Sequence, residues 1–270
     1  MQLQSLGIDD GPASYPIFVQ VNDGHGHIVT SASTSLTLGN ANPTATLNNG
    51  GAVNEGSTGL VSFASASDPS LTDKNAGFKY SFDFNNDGVF EITDSTSASA
   101  TVPSSFLADG PNSRLVRGRI SDKNGGYTDY TTSIAINNVA PVVQALSGPT
   151  QAVPGQTASY TSLFSDVGVL DTHTVSFNWG DGTTSTGTVT ESSGSGSFTG
   201  NHVYSSPGVF TITATVKDKD GATTVVSRIQ TIARSILLLN TTASGCSMFR
   251  ATLTSRCRAA SISIPILPRL

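Results

Sequence analysis

One spacing recurs through this 270-residue chain and limits what it can fold into. "DGPASYPIFVQVNDGHG" begins at Asp10 and "DGPNSRLVRGRISDKNG" at Asp109, 99 residues later. In both, Asp-Gly-Pro leads into an alternating stretch, then a second Asp (Asp23, Asp122), then a Gly (Gly26, Gly125). "VFTITATVKDKDG" repeats the ending with Asp218 and Gly221, 96 residues further on. Two junctions, "NANP" ending at Pro43 and "NVAP" ending at Pro141, are 98 apart, as are Asp68 and Asp166. A period of 96–99 residues is too long for a solenoid turn and is the size of a unit that buries its own core. The chain therefore divides into a partial unit over 1–42, full units over 43–140 and 141–233, and a tail over 234–270 that breaks the pattern. Residues 1–42 carry only the last third of a unit, enough for two strands and no facing sheet.

Within a unit the pattern is that of short strands. "THTVSFNW" puts Val175, Phe177 and Trp179 on one face and Thr174, Ser176 and Asn178 on the other, the alternation of a strand with one buried side. "GDGT" then turns the chain, because Asp-Gly tolerates the positive φ of a tight hairpin. "VFTITATV" alternates again, with Phe210, Ile212, Ala214 and Val216 inward. About seven such strands in some 95 residues predict an antiparallel β-sandwich of immunoglobulin-like type. No long stretch has apolar residues at i, i+3, i+4, so the fold class is all-β, with tandem sandwiches. Trp179, the single tryptophan, is in phase with Val175 and Phe177 and is expected between the sheets, with Asp181 capping its own turn.

Those residues carry a resemblance. "FNWGDGT" at 177–183, with Trp179, Gly180, Asp181 and Gly182, resembles the W-G-D-G hallmark of the polycystic-kidney-disease (PKD) domain family. "HVYSSPGVFTITATVKDKDG", with His202, Tyr204, Asp218 and Gly221, resembles that family's ending. The resemblance covers 141–233 and implies an immunoglobulin-like sandwich, extracellular or at the cell surface and often in tandem. It also implies a spacer or contact module, with Tyr204 in a tyrosine-corner role. Residues 43–140 are PKD-like only: "YSFDFNNDGVFE" stands where W-G-D-G belongs, H-x-Y is missing, and Phe84 is expected to replace the core tryptophan.

Charge and composition narrow the partners. Residues 1–233 hold nine basic and all 19 acidic residues, a net of −10, which argues against nucleic acid. No apolar run approaches the roughly 20 residues of a membrane span, and the start lacks a secretory signal pattern, so any signal is expected outside this chain. No order of Ser, His and Asp, no apolar carboxylate pair and no phosphate loop stands out, so no enzyme activity is expected.

The sharpest ligand signal is "DFNNDGVFEITD" over 83–94. Asp83, Asn85, Asp87, Glu91 and Asp94 place oxygens around Gly88 at calcium-loop positions 1, 3, 5, 9 and 12, although Asp stands where the bidentate Glu belongs. The competing reading is an Asn-Asp-Gly hairpin turn. Calcium is the cofactor this loop would hold. Asp68, Asp73, Asp166 and Asp171 precede the central strands at matching places and either cap loops or line a second cation site between units. Asp23, Asp122 and Asp218 are expected as turn residues. His25 and His27 alternate on a Gly-rich turn where zinc is a remote alternative, and Tyr127 and Tyr130 are close but make no aromatic row.

The tail holds five arginines, no acid and both cysteines, Cys246 and Cys257. It reads as a linker closed by a cysteine loop or, preferred here, as disordered or non-native sequence from a shifted frame or fragmented gene. The expectation for function is a non-enzymatic spacer or display rod whose partners are neighbouring repeats. The alternative is an adhesion module contacting protein or polysaccharide, with calcium dependence resting on the 83–94 loop.

Overall fold

A computed structural model describes residues 9–242 and 245–252, with side chains for 9–234. The described chain is nearly all β, with one short helix and one 3-10 turn. Contacts divide it into two units: Met1–Val139 with Val167–Asp171, and Ala140–Asp166 with Thr172–Leu270.

The first unit opens with β1 (Ala13–Ile17), β2 (Gln20–Asn22), β3 (Ile28–Thr30) and β4 (Thr34–Leu38). β1 pairs with β4 and β2 with β3, both antiparallel, so the two strands expected here form one hairpin broken into two ladders. At the break Ser31 replaces a ladder bond: its Oγ accepts from Val19 N at 2.9 Å. Ile17, Val19 and Val21 lie exposed, whereas Val116, Gly118 and Ile120, 99 residues on, are buried.

The remaining strands of this unit are β5 (Thr44–Asn49), β6 (Val53–Asn54), β7 (Gly59–Ser67), β8 (Lys79–Asp83), β9 (Ile92–Ser95), β10 (Ser99–Val102), β11 (Asn112–Ser121) and β12 (Tyr127–Asn137). They form a three-stranded sheet, β10-β7-β5, and a five-stranded sheet, β6-β12-β11-β8-β9. The core lies between them: Val61, Phe63 and Val102 from one sheet meet Tyr80, Phe82, Val116, Ile120 and Ile134 from the other. Gly118 is needed in mid-strand, because a Cβ there would stand 2.8 Å from the Phe63 ring. α1 (Leu71–Ala76) begins at Ser70, whose side chain accepts from Asp73 N.

The second unit contains β13 (Val142–Val143), β14 (Thr157–Ser165), β15 (His173–Asn178), β16 (Thr184–Thr186), β17 (Thr188–Ser192), β18 (Ser195–Val203), β19 (Gly208–Asp218) and β20 (Thr223–Ile232). Two four-stranded sheets result, β13-β14-β18-β17 and β16-β15-β19-β20. β14 and β15 alternate strictly between buried and exposed, and their inward residues, with Ile212, Ala214 and Val216 of β19, close one core. In the tail, the backbones of β21 (Ser235–Thr242) and β22 (Gly245–Thr252) pair antiparallel. The cysteine loop expected of Cys246 and Cys257 lies outside the described side chains and residues.

Candidate functional site

The hallmark of the second unit is built from β15 and the turn after it. Trp179 is 1% exposed. Its ring stacks on Phe177 at 4.7 Å and 3° and, on its other side, on His202 at 4.8 Å and 7°. Nε1 donates to Ser185 Oγ at 3.1 Å, so the one polar atom of the indole is satisfied. Gly180 has φ +80°, and a Cβ there would stand 2.5 Å from Thr211 O, so this turn position requires glycine. Asp181 Oδ1 accepts from Thr183 N at 3.1 Å, the expected self-cap, and Oδ2 pairs with His202 Nε2 at 2.7 Å.

Burial pushes the Asp181 carboxyl up, but hydrogen bonds from Thr183 and His202 outweigh it and hold the group down to about 2. Tyr204 is also 1% exposed, and its Oη donates to Trp179 O at 3.0 Å. A tyrosine corner would close a few residues upstream; this one reaches back 25 and ties β18's end to the Trp179 backbone. Asp218 Oδ1 accepts from the backbone N–H of Asp220, Gly221 and Ala222, and Gly221 takes φ +105°. Trp179, Asp181, His202 and Tyr204 tie the end of β15 to the end of β18, and Asp218 closes the turn after β19.

Residues 138–233 match the PKD domain family. A search of curated proteins finds no match. Among solved structures, the PKD domain of an M14-like peptidase from Thermoplasmatales archaeon SCGC AB-540-F20 is 24% identical, with a TM-score of 0.27; the match covers 34% of this chain and 92% of that one. Fibronectin(III)-like modules of Clostridium thermocellum CbhA are 16% identical, with a TM-score of 0.29 and coverage of 71% and 95%. Bacteroides ovatus SGBP-B, solved in complex with a mixed-linkage heptasaccharide, is 13% identical, with a TM-score of 0.28 and coverage of 72% and 48%.

In the first unit, the side chains of the 83–94 loop bond to its own backbone and to neighbouring strands. Asp83 is fully buried; Oδ1 accepts from Asp87 N at 3.2 Å, and Oδ2 accepts from Gly88 N at 2.9 Å and pairs with Arg117 at 3.1 Å. Asn85 Nδ2 donates to Asp87 Oδ2, and Asp87 Oδ1 accepts from Val89 N, the bond that does most to lower the Asp87 carboxyl. Glu91 Oε2 accepts from Phe84 N at 2.6 Å, while Asp94 N, in β9, donates to Ser81 Oγ in β8. Amides and a guanidinium thus meet the oxygens of Asp83 and Asp87 and one oxygen of Glu91. Phe84 is buried edge-on to Phe106 in the first unit's core.

The other singled-out residues separate cleanly. Asp23 and Asp122 cap their turns as Asp218 does, Asp23 through His25 N and His27 N and Asp122 through Asn124 N and Gly126 N. Tyr127 is exposed, whereas Tyr130 faces the core, 6.0 Å from Phe63, with its Oη accepting from Ala45 N. An odd spacing on one strand puts the two rings on opposite faces. Among the described residues, no triad with metal-ligand spacing includes a histidine.

Sequence reasoning missed the role of His173. Its imidazole is buried, with Nδ1 2.7 Å from Glu191 Oε2 and Nε2 3.1 Å from Asp166 Oδ2. Burial alone lowers its pKa, but the two carboxylates outweigh burial and raise it. Nothing local in "LDTHTV" announces this, because Glu191 comes from β17, 18 residues away.

Proposed function

We propose that the chain is a non-enzymatic spacer segment of an extracellular or cell-surface protein, in which successive sandwiches hold neighbouring domains apart. The observation that carries this reading is where the PKD hallmark is spent. Trp179 and Tyr204 are sealed in the core, and His202, stacked on the indole face, pairs with Asp181. A side-chain set used to lock strand ends suits a unit selected to stay folded under load. PKD domains are typically extracellular, in keeping with this reading.

Force spectroscopy on the full chain tests it. Each unit should resist and then release cooperatively, lengthening the chain by roughly 300 Å per 95 residues at ~3.3 Å each, less the folded end-to-end distance. Featureless extension at low force would defeat the spacer reading. One observation favours the contact-module alternative: Arg119 sits 3.8 Å over the exposed Tyr127 ring and 5.0 Å over Phe90, a small platform on β11, β12 and the loop before β9. Polysaccharide or protein binding that Tyr127→Ala removes would move the assignment to that module.

A further inference from the structure

We infer that Asp68, Asp73 and Asp122, joined by the side-chain amide of Asn40, form a binding site for a calcium-sized divalent cation within the first unit. This goes beyond the spacer reading and differs from the 83–94 loop. One oxygen from each of the three aspartates lies within 4.8 Å of the others, and all three side chains are buried. They come from separate elements. Asp68 follows β7, Asp73 sits in α1, and Asp122 follows β11.

Burial of like charges is costly unless each is paired, and here the pairing is incomplete. Asp122 is satisfied: Oδ1 accepts from Asn124 N and Gly126 N, and Oδ2 accepts from Asn40 Nδ2 at 2.9 Å. Asp68 Oδ1 accepts from Ser70 N at 2.8 Å, but Asp68 Oδ2 accepts nothing from any described residue. Asn40 Oδ1 is likewise buried without a hydrogen-bond donor among the described residues, and the buried Asp73 carboxylate has only the Lys123 ammonium and the Ser70 hydroxyl beside it. Asp68 and Asp73 are 2% and 0% exposed, so bulk water does not serve these atoms.

The nearest cation is the Lys123 ammonium, 3.4 Å from Asp73 Oδ1 and 2.5 Å from Asp10 Oδ2. One ammonium thus serves two carboxylates in a group of four, and it approaches on a partly exposed stem. Burial is the largest influence on the Asp73 carboxyl and pushes its pKa up, the mark of a charge short of partners.

The chemistry of the orphaned atoms selects the ligand. All are oxygens, carboxylate and amide, with no nitrogen or sulfur, which suits a hard cation. Calcium also accepts irregular geometry from such mixed sources. Its entry would neutralise Asp68 and Asp73 and release Lys123 from Asp73. The same three positions recur in sequence at Asp166, Asp171 and Asp218.

Titration of the full chain with calcium chloride by isothermal calorimetry, after chelator treatment, tests the site. Binding is expected, and Asp68→Asn should remove one equivalent or weaken it at least about tenfold. Lys123→Gln, at a partly exposed position that should fold normally, removes the competing ammonium and should tighten binding at least about threefold. Asp87→Asn, in the 83–94 loop, should leave that equivalent unchanged. The inference is overturned by no binding at ten-millimolar-scale calcium, by full retention in Asp68→Asn, by unchanged affinity in Lys123→Gln, or by loss in Asp87→Asn. Should Asp68→Asn fail to fold, the Lys123→Gln arm decides alone.

Discussion

Trp179→Ala is the perturbation whose size the structure sets most directly. The substitution removes an indole that is 1% exposed and sandwiched between Phe177 and His202, with Tyr160 5.7 Å away. Loss of transfer energy plus the cavity left behind costs about 3–5 kcal/mol for Trp→Ala in a core. The backbone clamp survives, because Tyr204 Oη bonds the Trp179 carbonyl and not its ring, so the cavity cannot collapse easily. At about 4–8 °C per kcal/mol for a domain of this size, the melting temperature of the PKD unit should fall by roughly 12–40 °C. Differential scanning calorimetry of the full chain reads it, with the first unit, whose core contains no part of this cluster, as internal reference. A second-unit transition displaced by less than about 3 °C would refute the reasoning that the ring is a core element.

Other expectations follow from the same unit. His173 has a raised pKa, so its charged form stabilises the fold fully below about pH 6.5, and that contribution is lost as pH rises through the raised folded value. The second unit's melting temperature should therefore decline on going from mildly acidic to alkaline pH, and His173→Gln should remove that decline. Asp181, held to about 2, contributes stability above the ordinary carboxylate range of about 4 and loses it as pH falls toward 2. Acid titration of Asp181→Asn should show a shallower acid limb, and an unchanged limb would discount the His202–Asp181 pair. Gly180→Ala, which forces a Cβ to 2.5 Å from Thr211 O at φ +80°, should cost about 1–3 kcal/mol in urea unfolding. Tyr204→Phe leaves the Trp179 carbonyl without its donor and should cost about 1–3 kcal/mol by the same measurement.

The all-β class and the inward residues of β15 and β19 were legible in the amino-acid order alone. Both depend on period-2 alternation and on turn chemistry, which are local. Val175, Phe177 and Trp179 could be assigned to the core because each answers only to its neighbours two residues away. The Asp23, Asp122 and Asp218 turns were legible for the same reason, since each aspartate caps amides within four residues of itself.

What the carboxylates do emerged only from the folded chain. The 83–94 loop has calcium-loop spacing, but spacing says nothing of Arg117, which β11 brings to Asp83 from 34 residues away. The orphaned oxygens beside Asp68 and Asp73 exist because the end of β7, α1 and the turn after β11 converge, and the raised pKa of His173 depends on Asp166 and on Glu191 from β17. Electrostatic partners are set by the pairing of distant strands, whereas side-chain facing is set along one strand. A single sequence therefore shows the second and conceals the first.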